Sequence, residues 1–337
     1  MTHTLVTGGS GFIGQHLVRV LLARGRAVRI LDLREPDYAP AGLQFVKGSI
    51  LDARQVRKAL AGVEDVYHLA ALPGMWMPDK RDFHAVNCRG TEIVLAAARE
   101  RGVSRFLYCS TESILFGRSN CEPVVTESVR TTPEEMPGAY TRSKMLAEQR
   151  ALQAAALGFP LIIANPTMPI GPHRNLTPPT AMLRYFLNRR IQVYVDFVLN
   201  LVDVRDVAAG LVLAMERGQV GQRYILGGQN ISLRKLLDLV GAMSGRNALR
   251  IPLSTGVARL AATAMEFLSD HLTHRSPSAT VEGVRIALRS KPLSNEKSER
   301  ELGYAPRPIE PALRDIVASV VGGRQSFRAA ASYKSEF

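Results

Sequence analysis

VTGGSGFIGQHL, residues Val6–Leu17, is the stretch from which the rest of the chain is read. Gly8, Gly11 and Gly14 recur at every third position, between an apolar run that reads as a strand and an amphipathic run that reads as a helix. A helix N-terminus presents free N–H groups and a partial positive charge. A phosphate can reach them only where no side chain intervenes. In that setting Gly8 makes the turn, Gly11 admits a pyrophosphate and Gly14 lets helix pack on strand. Asp32 ends the next strand-like run, and a carboxylate there accepts hydrogen bonds from ribose hydroxyls and repels a 2′-phosphate. The reading is a dinucleotide site, with NAD favoured over NADP. Arg34, two residues on, is the side chain that could contact a phosphate instead.

Working outward, strand-like runs at Thr4–Thr7, Ala27–Asp32, Leu43–Val46, Asp65–Ala70, Arg105–Ser110 and Leu161–Asn165 alternate with helix-period stretches. Those stretches are Phe12–Ala23, Ala53–Ala61, Thr91–Arg101 and Tyr140–Ala156. Strands alternating with helices predict an α/β fold, a doubly wound parallel sheet of the Rossmann kind. After Asn165 the rhythm breaks into a proline-rich loop, Asn165–Pro179. A helix after Asp203 and the strand Arg223–Gly228 then return to the sheet, and helices follow at Ser232–Met243, Val257–Leu268 and Pro311–Val321. The expected division is a dinucleotide-binding domain over 1–165 and 201–228, a smaller substrate-binding lobe over 166–200 and 229–322, and a frayed tail over 323–337.

Composition narrows the class. No apolar run among the 337 residues reaches the roughly 20 needed to span a membrane, and the N-terminus lacks the basic region of a signal peptide. Cys88, Cys109 and Cys121 have no metal-site spacing and read as reduced thiols of a cytoplasmic protein; no metal is expected. The net charge of +13 could mark an anionic ligand or partner. The basic residues are scattered singly without interleaved aromatics, so they read as a solvated surface and not as a nucleic-acid site.

YTRSK places Tyr140 and Lys144 four residues apart, on one face of a helix. An ammonium beside a phenol, helped by an oxidised nicotinamide, favours the phenolate, so the pair can exchange a proton with an alcohol or a carbonyl. YCSTES lies at the carboxyl end of the fifth predicted strand, where open α/β sheets bind ligands. Among Ser110, Thr111 and Ser113 there, Thr111 is the favoured holder of the substrate oxygen.

These motifs, with HLAA (His68–Ala71), VNCRGT (Val86–Thr91), NPTMPIGP (Asn165–Pro172), LVDVRDVA (Leu201–Ala208) and ELGYAPRP (Glu301–Pro308), make the chain resemble the extended short-chain dehydrogenases/reductases over residues 3–322. Within them it looks most like the group named hopanoid-associated sugar epimerases, itself similar to dihydroflavonol reductases and 3β-hydroxysteroid dehydrogenases. The resemblance implies that Phe12 and Ile13 supply amides to the pyrophosphate and that Leu69, Ala70 and Ala71 line the adenosine side. It implies that Asn87 orders the helix behind the active site and that Pro166 and Met168 sit by the nicotinamide. Tyr140 is then the acid/base, Thr111 orients the substrate oxygen, and Lys144 also holds the nicotinamide ribose. Where such proteins usually carry an acidic residue toward the adenine, this chain has Ser49, which leaves Ile50 as the safer adenine contact. The family also implies a homodimer built on the helices Thr91–Arg101 and Tyr140–Ala156.

The substrate is read from two variable stretches. Sugar-nucleotide epimerases carry an arginine a few residues before VDV, where this chain has Leu199 in an apolar run; His173, Arg174 or Arg184 could replace it. Met75 and Trp76 stand in the loop after the fourth strand and suit a hydrophobic or cyclic small molecule. The segment Ser254–His274 is expected to close the pocket. The leading expectation is therefore an oxidoreductase that interconverts a secondary alcohol and a ketone. A nucleotide-sugar epimerase or dehydratase with tightly held NAD is the alternative, and a non-catalytic NAD sensor a remote one.

Overall fold

The first half of the chain folds as its alternation requires. Strands β1 (His3–Thr7), β2 (Ala27–Asp32), β3 (Leu43–Lys47), β4 (Val63–His68), β5 (Arg105–Cys109) and β6 (Leu161–Pro166) are separated by helices. These are α1 (Phe12–Ala23), α2 (Ala53–Ala59), α3 (Arg81–Phe83), α4 (Gly90–Glu100) and α5 (Ala139–Ala156), with a π-helical turn, His84–Arg89, joining α3 to α4. The computed structural model describes residues 3–37, 40–118, 121–171 and 178–322.

Consecutive residues of a strand point to opposite faces, and the core divides accordingly. Leu5 belongs to an apolar cluster with Leu31, Val66, Phe106 and Ile163. Val6 belongs to another, with Leu17, Ile30, Leu107 and Leu211. Both faces of β1 and β6 are therefore covered, as a parallel sheet demands.

The second half contributes β7 (Met168–Ile170), α6 (Pro178–Leu187), β8 (Ile191–Tyr194), β9 (Val198–Asp203), α7 (Val204–Arg217), β10 (Arg223–Leu226), β11 (Gln229–Ser232) and α8 (Leu233–Ser244). It continues with β12 (Leu249–Pro252), α9 (Thr255–Leu268), a second π-helical turn (Ser269–Thr273), α10 (Val281–Arg289), α11 (Glu296–Leu302) and α12 (Glu310–Gly322). β10 joins the main sheet, whose order is β3-β2-β1-β4-β5-β6-β10, every pairing parallel. The order reverses between β1 and β4, so the crevice at their carboxyl ends is the place for a ligand. β11, β9 and β7 form a small sheet, and β8 pairs with β12. A third apolar cluster gathers Ile170, Leu183, Leu201, Leu236 and Leu313 in this region.

Two features depart from the sequence reading. The proline-rich stretch, expected to be irregular, contains β7, a strand of three residues held by β9. β8 and β12 were unexpected because their polarity is inverted: Gln192 is buried while Ile191 and Val193 face solvent. No helix among the described residues is long and apolar enough to cross a membrane.

Candidate active site

The glycine turn has the geometry its spacing predicts. Gly8 adopts φ +72°, and a Cβ there would lie 2.7 Å from the Ala70 backbone nitrogen. A Cβ on Gly14 would lie 2.2 Å from the Gly8 carbonyl oxygen, so helix and turn meet with no room for a side chain. Gly11 is the N-cap of α1 and offers no side-chain cap to the amides that follow, those of Phe12 and Ile13 among them. The Asp32 carboxylate accepts from the Ser10 amide at 3.1 Å and the Arg34 amide at 3.2 Å, holding the glycine turn against the end of β2. Ser10 Oγ adds a bond to the Arg34 carbonyl at 2.7 Å, and the Arg34 side chain is exposed.

Leu69, Ala70 and Ala71 follow β4 directly and are partly exposed. Thr7 Oγ1 accepts from the Ala70 amide at 3.2 Å. His68, completely buried, lies 2.7 Å from Thr7 Oγ1 and 2.9 Å from Thr91 Oγ1. Burial, with the nearby Lys144 charge, pushes it down to about 3, so it is a neutral pin between strands and helix. Asn87 accepts from the Leu72 amide at 2.7 Å and donates to the Ser143 hydroxyl at 3.0 Å, tying the loop after β4 to α5. Ser49 is partly exposed; its amide donates to Gln55 Oε1 at 2.7 Å, and its hydroxyl accepts from the Leu51 amide at 3.2 Å. Ile50, the expected adenine contact, turns its side chain inward. Its side chain is buried against Gly90 in the core, whereas Leu51 is exposed beside Ser49.

Thr111, Tyr140 and Lys144 converge at the carboxyl end of β5. Lys144 is 4 % exposed; its ammonium donates to the Cys109 carbonyl at 2.8 Å and lies 4.6 Å from the centre of the Tyr108 ring. Burial lowers its pKa to about 8. The Tyr140 ring stands edge-on to Phe83, centroids 5.9 Å apart. Its phenol is pushed up by burial and then by the charge of Glu112, while a hydrogen bond with Thr111 pulls it down. The Lys144 ammonium is turned to the Cys109 carbonyl, so in the chain alone burial dominates and favours the Tyr140 phenol.

Glu112 and Glu282 were missed by the sequence reading. Thr111 Oγ1 lies 3.0 Å from Glu112 Oε2 and 2.8 Å from Ser113 Oγ. Burial raises the Glu112 carboxyl to about 7, against the pull of the Thr111 bond. Glu112 stands inside the quoted YCSTES, so only its role was overlooked. Glu282, on α10, reaches the start of α5 from more than a hundred residues away. It accepts from the Thr141 amide and hydroxyl, each at 2.7 Å, and from the Tyr140 amide at 3.2 Å. A Cβ on Gly138 would lie 2.2 Å from Glu282 Oε2, so glycine is what admits the carboxylate. No local pattern announces such a cap.

Behind α5, Glu148 is fully buried and paired with Arg223 at 2.6 Å. Asn165 donates to Glu148 at 3.0 Å and to the Thr111 carbonyl at 3.1 Å. Ser110 Oγ and Thr167 Oγ1 are buried and, among the described residues, without a hydrogen-bond partner. They sit just past adjacent strands, where a polar ligand would satisfy them. Pro166 ends β6 beside them, and Met168 is partly buried on β7.

The loop after β4 is fastened to the second half of the chain. Trp76 Nε1 donates to Asp270 at 2.7 Å, and Lys80 pairs with Glu266 and Asp270 at 2.6 and 3.0 Å. Met75, Phe83, Ala139, Val281 and Arg285 help line a cavity of about 160 Å³ at this junction. Leu199 does not face an open site: it is 3 % exposed in the apolar cluster of Ile170 and Leu183. His173 and Arg174 lie outside the described residues.

Comparison with known proteins agrees with this fold. The family model described as "NAD dependent epimerase/dehydratase family" matches residues 4–227. A sterol demethylase protein B of Methylococcus capsulatus is 32 % identical, the match covering 94 % of this chain and 97 % of that protein. A 4-hydroxy-2-methyl-3-oxo-4-farnesyl-3,4-dihydroquinoline-1-oxide ketoreductase of Stigmatella aurantiaca is 32 % identical over 90 % of this chain and 92 % of its own length. The crystal structure of gox2253 superposes with a TM-score of 0.81 at 34 % identity, covering 97 % of this chain and all of that one.

Proposed function

The chain belongs to the NAD dependent epimerase/dehydratase family, and on that footing we propose that it interconverts a secondary alcohol and a ketone on a mid-sized, largely apolar or cyclic substrate. The observation that carries the reading is the convergence of Thr111, Tyr140 and Lys144, with Phe83, in contact with Tyr140, joining Met75 and Val281 and the charged Lys80, Glu266 and Arg285 around a small cavity. Two relatives bear the names of enzymes of apolar, polycyclic molecules, which supports the same substrate class.

The cradle fits a dinucleotide. Gly8, Gly11 and Gly14 clear space for a pyrophosphate at the start of α1, with the Phe12 and Ile13 amides beside it. Asp32 would hold the adenosine ribose, which favours NAD over NADP, with Arg34 beside it. Ser49, Leu69, Ala70 and Ala71 would flank the adenosine half, and Pro166, Met168 and the orphaned Ser110 and Thr167 hydroxyls the nicotinamide half. A nicotinamide dinucleotide held there would supply the hydride-transfer chemistry.

Tyr140 exchanges the proton with the substrate oxygen, which Thr111 holds in line. Lys144 supplies positive charge behind the tyrosine and a donor toward the cofactor ribose once it leaves the Cys109 carbonyl. Thr111 and Lys144 are buried and Tyr140 partly so, which strengthens these interactions by limiting water. Asn87 and Glu282 are positioning residues that fix α5 from its two sides. We place the enzyme in the cytoplasm, as a homodimer joined through α4 and α5.

The test is turnover coupled to NADH with cyclic and apolar alcohols and ketones. Tyr140→Phe lowers kcat by about 10²–10⁴-fold with cofactor binding intact. A Tyr140→Phe variant with unchanged turnover overturns the assignment. Cofactor retained through purification, with inversion of a nucleotide sugar and no net NADH, would replace it with the epimerase reading.

A further inference from the structure

One helix is turned inside out relative to the rest of the molecule. α9 is rich in apolar residues, yet only Ala258 and Ala262 of its length are buried. Val257, Leu260, Phe267 and Leu268 recur at helical spacing along its outer side, and Leu272 extends the row into the π-helical turn. Leu260 is 73 % exposed, Phe267 59 % and Leu272 68 %. A monomeric surface seldom leaves a contiguous row of this size in water.

The charges on the same segment are sorted by sign. Its two carboxylates face the protein: Glu266 is taken by Lys80 and the Val281 amide, and Asp270 by Lys80 and the Trp76 indole. Its outward polar groups are basic or neutral, with Arg259, His271, His274 and Arg275 all exposed. Arg118, Arg259 and Arg285 lie close enough to Arg289 to depress its proton affinity, adding to the effect of burial. An apolar row bordered by cations is complementary to a bilayer surface bearing anionic headgroups.

We propose that α9 and the π-helical turn after it form a membrane-surface docking face, with Leu260, Phe267 and Leu272 entering the acyl boundary and Arg259 and Arg275 at the anionic headgroups. Docked this way the helix lies along the interface and does not span it. The cavity lined by Met75, Phe83 and Glu266 lies at the inner side of the same helix, so an apolar molecule dissolved in the bilayer has a short way to reach it. The inference concerns a surface and stands apart from the catalytic assignment.

The test is flotation of the full chain with vesicles of phosphatidylcholine alone or mixed with phosphatidylglycerol. Binding is expected to the mixed vesicles and to weaken with salt. Leu260→Ser with Phe267→Ser reduces partitioning about tenfold or more. Arg259→Gln with Arg275→Gln reduces it about fivefold for each cation removed. All four positions are exposed, and an unchanged thermal midpoint shows that the variants are folded. A wild-type chain that ignores both vesicles, or binding that neither pair of substitutions weakens, overturns the proposal. So does a solution dimer that Leu260→Ser dissociates, since a second copy would then be what covers the row.

Discussion

Burial moves the ionisation of Glu112 and Lys144 toward neutral pH, one held protonated and the other made easier to deprotonate. Glu112 is neutral below about 7 and charged above it. Once charged it accepts the Thr111 hydroxyl and opposes the Tyr140 phenolate, so alcohol oxidation should lose part of its rate as pH rises through 7. In Glu112→Gln that inflection in kcat/KM should vanish; an inflection that persists would assign it elsewhere. Lys144 works in the other sense. Its folded pKa, about 8, lies below the unfolded value. The stability it contributes above the unfolded value is lost as pH falls through 8, and at pH 7 the fold carries a buried ammonium. Lys144→Met should therefore raise stability at pH 7 by about 1–2 kcal/mol, less at pH 10, while activity collapses. Thermal melts at the two pH values check this. At this scale the sequence was informative about residue type and spacing: Gly8, Gly14, Asp32 and the Tyr140–Lys144 pair stand where their pattern requires. It was silent on where each polar atom is spent. The Lys144 ammonium goes to a carbonyl and the Ile50 side chain to the core, and both outcomes depend on backbone that is distant in sequence.

Among elements, the start of α5 decides how Tyr140 is presented. Glu282 satisfies amides that the helix cannot satisfy itself, and its charge suits the helix N-terminus. Glu282→Ala should cost about 1–2 kcal/mol of stability and lower kcat more than it raises KM, because Tyr140 loses its fixed direction. Gly138→Ala should reproduce the kcat loss by driving the carboxylate out. If Gly138→Ala leaves kcat unchanged, the cap has no part in positioning. The strands of the main sheet were legible because burial on both faces leaves near-continuous apolar runs. β8 and β12 were missed for the opposite reason, whereas α9 was read as a helix at Val257–Leu268 without its orientation. Ile191 and Val193 face outward over a buried Gln192, so periodicity points the wrong side of β8 inward, and the apolar row of α9 faces solvent.

For the molecule as a whole, the alternation of strands and helices specifies the β3-β2-β1-β4-β5-β6-β10 sheet and the crevice where its order reverses. Expected dimerisation through α4 and α5 gives a light-scattering mass of twice the chain; a single-chain mass removes that interface. The cap on α5 also bears on how the protein is made. All seven strands of the main sheet are complete at Leu226, but Glu282 lies farther along the chain. During synthesis the sheet can close while the helix carrying Tyr140 still lacks its cap. A message cut short after β10 would encode a product with an intact nucleotide cradle and a loosely aimed tyrosine. Competence for proton transfer is thus reserved for chains that the ribosome has carried past residue 282.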